Sequence, residues 1–111
     1  IQTLSEKVET QTVQASEPVK VETVTEKIVR IFGSEAENAI KVFTCESGLD
    51  PNVIGDTNTK YPSVGVAQIR MLPGRNLNIA DMLDADKNLN YAKQLFDGQG
   101  WKPWSCRKVV K

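Results

Sequence analysis

The sequence predicts an α+β domain, mostly α, with a small irregular β region. Three observations predict this fold class. Apolar residues recur at helical spacing in residues 24–43 and again in residues 78–97. Between these regions, residues 49–62 are rich in turn-forming Gly, Pro, Asn and Asp and lead into the apolar segment SVGVAQI, residues 63–69. Because few of these residues are β-branched, we expect an irregular hairpin of modest strand content.

The first 22 residues differ in composition from the rest of the chain. They are rich in Thr, Gln, Glu and Val and contain neither an aromatic residue nor a glycine. Such a segment has little apolar surface to set against the entropy lost on ordering. We therefore predict that residues 1–22 form a flexible linker or tether and that the domain comprises residues 23–111. The alternative is an added edge strand, since VKVETV, residues 19–24, alternates apolar and polar side chains.

Two helices are predicted at the start of the domain. Their apolar residues are Val24, Ile28, Ile31 and Phe32 in the first, and Ala36, Ala39, Ile40 and Phe43 in the second. Gly33 is expected to end the first helix, and Ser34 with Glu37 three residues later is a capping-box sequence for the second. Glu46 follows Phe43 by three residues, so its carboxylate should lie at the edge of the apolar stripe, toward the core.

Two further helices are predicted in residues 78–84 and 86–97. The buried face of the second consists of Leu89, Ala92, Leu95 and Phe96. Gly98 is expected to end this helix. The remaining segment, residues 100–111, contains both tryptophans, one of the two cysteines and a basic tail.

The composition excludes several classes of site. The chain has no histidine, which excludes histidine triads, Cys-His nucleophiles and histidine metal sites and leaves carboxylates as the acid/base groups. Cys45 and Cys106 are too few for a structural zinc site and form either one disulfide or two buried thiols. The 14 basic and 14 acidic residues balance, which gives no reason to expect nucleic-acid binding. We predict no metal, no cofactor and, without a run of about 18 apolar residues, no transmembrane helix.

CESGLDP, VGVAQI and NYAKQLFDGQGWKPW follow one another along residues 45–104. In this order and spacing they resemble the lysozyme-like superfamily, which includes animal-type and goose-type lysozymes and lytic transglycosylases. The resemblance covers about residues 24–106. Glu46-Ser47 resembles the Glu-Ser that ends the family's catalytic helix, and Gly65-x-x-Gln68-Ile69 resembles its Gly-x-x-Gln-Ile motif. The interval of 22 residues from Glu46 to Gln68 is similar to that of animal-type lysozymes. The resemblance therefore implies a lysozyme-like fold.

The resemblance also implies an activity. Glu46 would be the general acid that protonates the β-1,4 glycosidic oxygen between N-acetylmuramic acid and N-acetylglucosamine in peptidoglycan. Lysozyme is the standard example of a glutamate that an apolar pocket against a tryptophan keeps protonated. Trp101 or Trp104 would supply that wall here, with core packing as the alternative role of each. We expect a monomer that acts on peptidoglycan strands, with Ser63 and Gln68 facing the substrate.

One departure from the family concerns the second catalytic group. Animal-type lysozymes carry a carboxylate at the position that matches Ser63, so a retaining mechanism lacks its usual partner. Glu46 would act alone in a lytic transglycosylation, or Asp50 or Asp56 would hold a water for inverting hydrolysis. Both aspartates also fit ordinary turns, before Pro51 and after Gly55 respectively. The remaining alternative is a non-catalytic module of the same fold that binds glycan or protein.

A second departure is the loss of an aromatic platform. Animal-type enzymes place stacking tryptophans just past the position of Gln68, whereas this chain reads RMLPGRN at residues 70–76. Tyr61 and Tyr91 are candidates to replace them, because a tyrosine offers a ring face and a hydrogen-bonding tip. Tyr91 has a second possible role, since lytic transglycosylases point a tyrosine at the catalytic glutamate. Trp101 is a further candidate substrate contact.

The fold implied by the resemblance brings the two cysteines together, and we therefore expect a Cys45–Cys106 disulfide. It would close a loop of 62 residues, worth about 4 kcal/mol in the chain-entropy model, and tie the tryptophan segment to the helix of Glu46. A disulfide indicates an oxidising compartment, so we expect a secreted or cell-envelope protein.

Overall fold

The computed structural model describes residues 21–110 and confirms a mostly α, α+β fold. The α-helices of this part of the chain are α1 (Val24–Phe32), α2 (Ala36–Ser47), α3 (Ile79–Met82) and α4 (Ala85–Gln99). The strands are β1 (Ile54–Gly55), β2 (Ser63–Val64) and β3 (Ile69–Arg70), and short 3-10 helices cover Gly33–Glu35, Pro73–Arg75 and Ser105–Val109. No helix within residues 21–110 is long and apolar enough to span a bilayer.

Helix α1 begins with a reciprocal cap that the sequence analysis did not identify. The Glu26 N–H donates to Thr23 Oγ1 at 3.1 Å, and the Thr23 N–H donates to Glu26 Oε1 at 2.9 Å. Gly33 ends the helix as predicted, with φ 55 and its N–H donating to the carbonyl of Val29. The predicted tether lies outside the described residues except for Val21 and Glu22, neither of which is in a strand.

Two predicted helix ends are wrong. Ser34 and Glu37 form no capping box, because Gly33–Glu35 is a 3-10 turn and α2 begins at Ala36 without a side-chain cap. Gly98 does not end α4. The helix continues through Gln99, and the chain leaves it at Gly100, whose φ of 66 and ψ of −145 suit a residue without a Cβ.

The core lies between α2 and the helices on either side of it. Fully buried members include Ile28, Val42, Phe43, Leu89 and Ala92, while the predicted Leu95 and Phe96 are only partly buried. The part of the core beside the C-terminal end of α4 is aromatic. Trp101 lies among four rings there, at 6.0 Å from Phe32, 5.9 Å from Phe43, 4.7 Å from Phe96 and 5.2 Å from Trp104 between ring centroids. This cluster fixes the segment that follows α4 against α2.

A surface ion-pair network connects α1 to the start of α4. Lys27 Nζ lies 2.8 Å from Asp86 Oδ2, and Arg30 contacts both Asp86 and Glu22, at 2.8 and 2.9 Å. The hydrogen bond from Lys27, with a further one from Arg30, lowers the pKa of Asp86. Folding therefore holds this carboxylate in its charged form.

We expect Asp86→Asn to lower the free energy of unfolding by no more than about 1 kcal/mol at neutral pH, because the pair is exposed. Since the folded-state pKa of Asp86 is lowered, its contribution is complete above the unfolded-state pKa of about 3.9 and is lost as the pH falls through the folded-state value. Urea unfolding of both proteins from pH 7 to pH 2 measures this. A difference that stays constant over the whole range would contradict the assignment.

The three strands form an antiparallel sheet in the order β1-β2-β3. Gly55 pairs with Ser63, and Ser63 pairs with Arg70, so these three residues form one row across the sheet. Residues directly opposite each other in antiparallel strands project from the same face. The side chains of Ser63 and Arg70 therefore share a face of the sheet.

The predicted disulfide between Cys45 and Cys106 is confirmed, with 6.0 Å between the two Cα atoms. It joins α2 to the 3-10 helix Ser105–Val109. We expect the double variant Cys45→Ser/Cys106→Ser to lose about 4 kcal/mol of unfolding free energy, because the unfolded chain regains the freedom of the open loop. Urea unfolding with and without reductant checks this. Reductant should destabilise the wild type alone, and equal stability of the oxidised wild type and the variant would contradict the prediction.

Candidate active site

Helix α2 delivers Glu46 to one wall of a cleft. The helix ends one residue later, where Gly48 adopts φ 67 and its N–H donates to the carbonyl of Thr44. The Ser47 hydroxyl donates to the carbonyl of Val66 at 2.6 Å, which docks the helix end onto the segment between β2 and β3. The Glu-Ser pair thus combines a half-buried carboxylate with the hydrogen bond that positions it.

The Glu46 carboxylate is held by the segment that follows Trp104. The Cys106 N–H donates to Oε2 at 2.9 Å, and the Ser105 hydroxyl lies 3.1 Å from the same oxygen and 3.4 Å from Oε1. The disulfide at Cys106 fixes this segment directly beside the carboxylate. The sequence analysis placed the cysteines here but missed Ser105 and the backbone donor.

The cleft has a volume of about 390 Å³. The residues that line it and were singled out from the sequence are Glu46, Asp56, Ser63, Gln68 and Trp104. Further lining residues, not predicted as contacts, are Ile69, Arg70, Leu72, Arg75, Leu95, Gln99, Pro103 and Ser105. Trp104 is buried and reaches the cleft from the aromatic core, so it is the tryptophan that shares this cleft with Glu46.

The structure separates the two aspartates that follow α2. The Asp50 carboxylate accepts the Asn52 N–H at 2.8 Å in a local turn and does not line the cleft. Asp56 directly follows β1 with φ 54, and its Oδ2 accepts the Ser63 hydroxyl at 2.6 Å inside the cleft. A carboxylate therefore contacts the side chain that occupies the position matched to the second carboxylate of animal-type lysozymes.

The segment between β2 and β3 is the floor of the cleft, and it is held by hydrogen bonds from distant elements. Asn88 of α4 is fully buried; its Oδ1 accepts the Ala67 N–H at 2.9 Å. Its Nδ2 donates to the carbonyls of Val64 at 2.8 Å and Met82 at 2.9 Å. Trp104 Nε1 donates to the carbonyl of Ala67 at 2.9 Å. The sequence analysis did not single out Asn88.

These contacts explain the Gly-x-x-Gln motif physically. Gly65 has φ 81, and a Cβ there would collide with the Asn88 side chain and the Met82 carbonyl. Gln68 lines the cleft, yet its Nε2 donates to the carbonyls of Val53 at 3.0 Å and Gly65 at 2.9 Å. Gln68 therefore positions the loop after α2 as well as facing the cleft.

Three predicted substrate contacts do not line the cleft. Trp101 packs in the aromatic cluster, stacked on Phe32 and tilted against Phe96. Tyr91 is half-buried against the core, and Tyr61 lies under Lys60, whose Nζ is 5.7 Å from the ring centroid.

Within residues 21–110, no group of three or more His, Cys, Asp or Glu side chains is arranged to hold a metal ion.

A protein-family model described as a lysozyme-like domain matches residues 27–106. The match includes all of α2, the three strands, α3 and α4, and both cysteines. A comparison with curated proteins found no match.

Proposed function

The chain belongs to the lysozyme-like domain family, and on this basis we propose that it cleaves peptidoglycan at the β-1,4 bond between N-acetylmuramic acid and N-acetylglucosamine, with Glu46 as general acid. The observation that carries the proposal is a half-buried carboxylate at the end of a helix, held by two donors, in a cleft that contains a second carboxylate. Glycosidases of most families use two carboxyl groups that flank the scissile bond.

In the first step, protonated Glu46 donates its proton to the glycosidic oxygen and the bond to C1 of the muramic acid breaks. The Ser105 hydroxyl can bind Glu46 in both protonation states, because a hydroxyl donates to a carboxylate and also accepts from a carboxylic acid. The Cys106 N–H, which only donates, fixes the orientation of the group in both states. When the 6-hydroxyl of the muramic acid attacks C1, the Glu46 carboxylate takes up its proton.

The attacking group decides the product. Attack by the 6-hydroxyl of the same muramic acid passes its proton to Glu46 and leaves a 1,6-anhydro end without consuming water. Attack by water leaves a reducing end and needs a base that takes the water proton. Asp56 is the carboxylate available for that role, because it lies in the cleft and the Ser63 hydroxyl holds it in place. We assign Asp56 to hydrolysis.

We expect Asp56→Asn to lower the rate of reducing-end formation by about a hundredfold, because the amide cannot take the water proton. The control is Asp50→Asn, the same change in the same loop, where the amide oxygen retains the turn contact to Asn52. Quantification of reducing ends released from purified peptidoglycan checks this. An equal effect of the two variants would contradict the role of Asp56.

Mass spectrometry of purified peptidoglycan after incubation with the protein tests the proposed function. New muramic acid ends are expected, either reducing or 1,6-anhydro, and their ratio shows how water and the 6-hydroxyl compete. Fragments that end in N-acetylglucosamine, or intact strands, would contradict the proposal. Binding of intact strands would then support a non-catalytic glycan-binding module.

We also propose that the protein acts outside the cytoplasm. The disulfide supports this location, because disulfides persist in oxidising compartments, and the proposed substrate is a cell-wall polymer.

A further inference from the structure

Two arginines that have no role in the catalytic proposal line the cleft. Arg70 is in β3 and Arg75 is in the 3-10 turn Pro73–Arg75 that follows. Within residues 21–110, neither forms an ion pair with a carboxylate. The cleft therefore carries two guanidinium groups without a charged partner, in the segment where animal-type lysozymes have stacking tryptophans.

The sheet places Arg70 close to the proposed reaction site. Arg70 is directly opposite Ser63 and projects from the same face, and neighbouring strands are about 4.8 Å apart. Ser63 in turn binds Asp56. Arg70 Nη2 lies 3.3 Å from Thr59 Oγ1, a neutral partner that leaves its charge uncompensated. A sugar ring that contacts Ser63 would therefore have substituents within reach of Arg70.

Arg75 is held at the end of β3. Its Nη1 donates to the carbonyl of Arg70 at 2.9 Å, which brings the second guanidinium back over the end of β3. This neutral contact also leaves its charge uncompensated. Two guanidinium groups at one strand end form a positively charged region, whereas Asp56, proposed above as the base, is the negative group of the catalytic part of the cleft.

We infer that Arg70 and Arg75 form a subsite for a carboxylate of the substrate, an inference that rests on the proposed function. A guanidinium presents paired N–H donors that match the two oxygens of a carboxylate. The sugar rings of a peptidoglycan strand are neutral. Its anions are the lactyl carboxylate of a muramic acid that carries no peptide and, where a stem peptide is attached, the carboxylates of that peptide. The Asp56 carboxylate repels such a group, so it binds at the arginines. The subsite selects muramic acid polymers over chitin.

Binding measurements test this subsite separately from cleavage. Calorimetry with the Glu46→Gln protein, used to prevent turnover, would compare three tetrasaccharides: chitotetraose, a peptide-free glycan with lactyl carboxylates, and the same glycan with stem peptides. We expect the carboxylate-bearing glycans to bind on the order of tenfold more tightly than chitotetraose. The preference should shrink as salt rises, because counter-ions screen the charges.

Replacement of the two arginines in the Glu46→Gln protein identifies the residues that form the subsite. Arg70→Gln/Arg75→Gln should abolish the preference, and a melting temperature close to that of the Glu46→Gln protein shows that the domain is intact. Arg70→Lys/Arg75→Lys should retain part of it. Lys41→Gln, which removes an exposed charge on α2 outside the cleft, should change nothing. Equal affinities for all three glycans, or a preference that survives the double glutamine change, would overturn the inference.

The ligands also identify the carboxylate. Tight binding of the peptide-free glycan assigns the subsite to the lactyl group, and tight binding of the peptide-bearing glycan alone assigns it to the stem peptide. Because no ligand has to be cleaved, a protein that fails to produce muramic acid ends can still show the preference. Cleavage by a protein that shows no preference for carboxylate-bearing glycans would overturn the subsite and leave the proposed function in place.

Discussion

Replacement of Glu46 by glutamine is expected to lower the rate of peptidoglycan cleavage about a thousandfold. The amide has nearly the shape of the carboxyl group, yet it can neither donate an acidic proton to the glycosidic oxygen nor take one up from the attacking group. Protonation of the glycosidic oxygen passes through this side chain whichever group attacks C1, and in transglycosylation the proton of the attacking 6-hydroxyl also returns to it. Release of soluble fragments from purified peptidoglycan measures the rate.

The control for this substitution is Glu37→Gln. Glu37 lies on the same helix but is exposed in its first turn, away from the cleft. Its replacement should leave the rate unchanged, and the melting temperature of both variants should remain close to that of the wild type. A Glu46→Gln protein that keeps more than a tenth of the wild-type rate would exclude Glu46 as the general acid.

The second large effect is expected from Asn88→Ala. The substitution removes the side-chain hydrogen bonds to the Ala67 N–H and to the carbonyls of Val64 and Met82 in a fully buried place. Each unsatisfied buried group costs about 1–3 kcal/mol, so we expect a loss of about 4 kcal/mol in the free energy of unfolding. This is a large share of the roughly 5–15 kcal/mol that stabilises a typical protein.

Urea unfolding measures this loss, with Asn90→Ala as the matched control. Asn90 is on the same helix but exposed, and its side chain contacts only the helix carbonyl of Asp86 at 2.8 Å. Its replacement should change the unfolding free energy by less than about 1 kcal/mol. Equal losses in the two variants would contradict the role of Asn88 in holding the cleft floor.

The helices were predictable because their signals are local. The spacing of Ile28 and Phe32, or of Ala39 and Phe43, is a property of a few consecutive residues, and all four are buried as expected. Helix ends were less predictable because several residues compete for one role. Ser34 had a good capping sequence, yet a 3-10 turn occupies its position, and Gly100 rather than Gly98 ends α4.

The candidate site was predictable where a motif carried it and not where contacts between distant segments create it. Glu46 and the disulfide followed from the family resemblance. Asn88 acts through Ala67, 21 residues away, and Ser105 acts through Glu46, 59 residues away; neither distance leaves a pattern in a single sequence. Trp101 shows the same limit, because the resemblance made it a candidate sugar contact, whereas its contacts are with other rings of the core.

The central claim is that Glu46 protonates the oxygen of the scissile bond. The most direct measurement is a crystal structure of the Glu46→Gln protein with a muramic acid–glucosamine oligosaccharide. We predict that the glycosidic oxygen on C1 of a muramic acid lies within about 3.2 Å of the terminal amide at position 46. A glycan bound outside the cleft, or along it with no glycosidic oxygen within hydrogen-bonding reach of that amide, would contradict the claim.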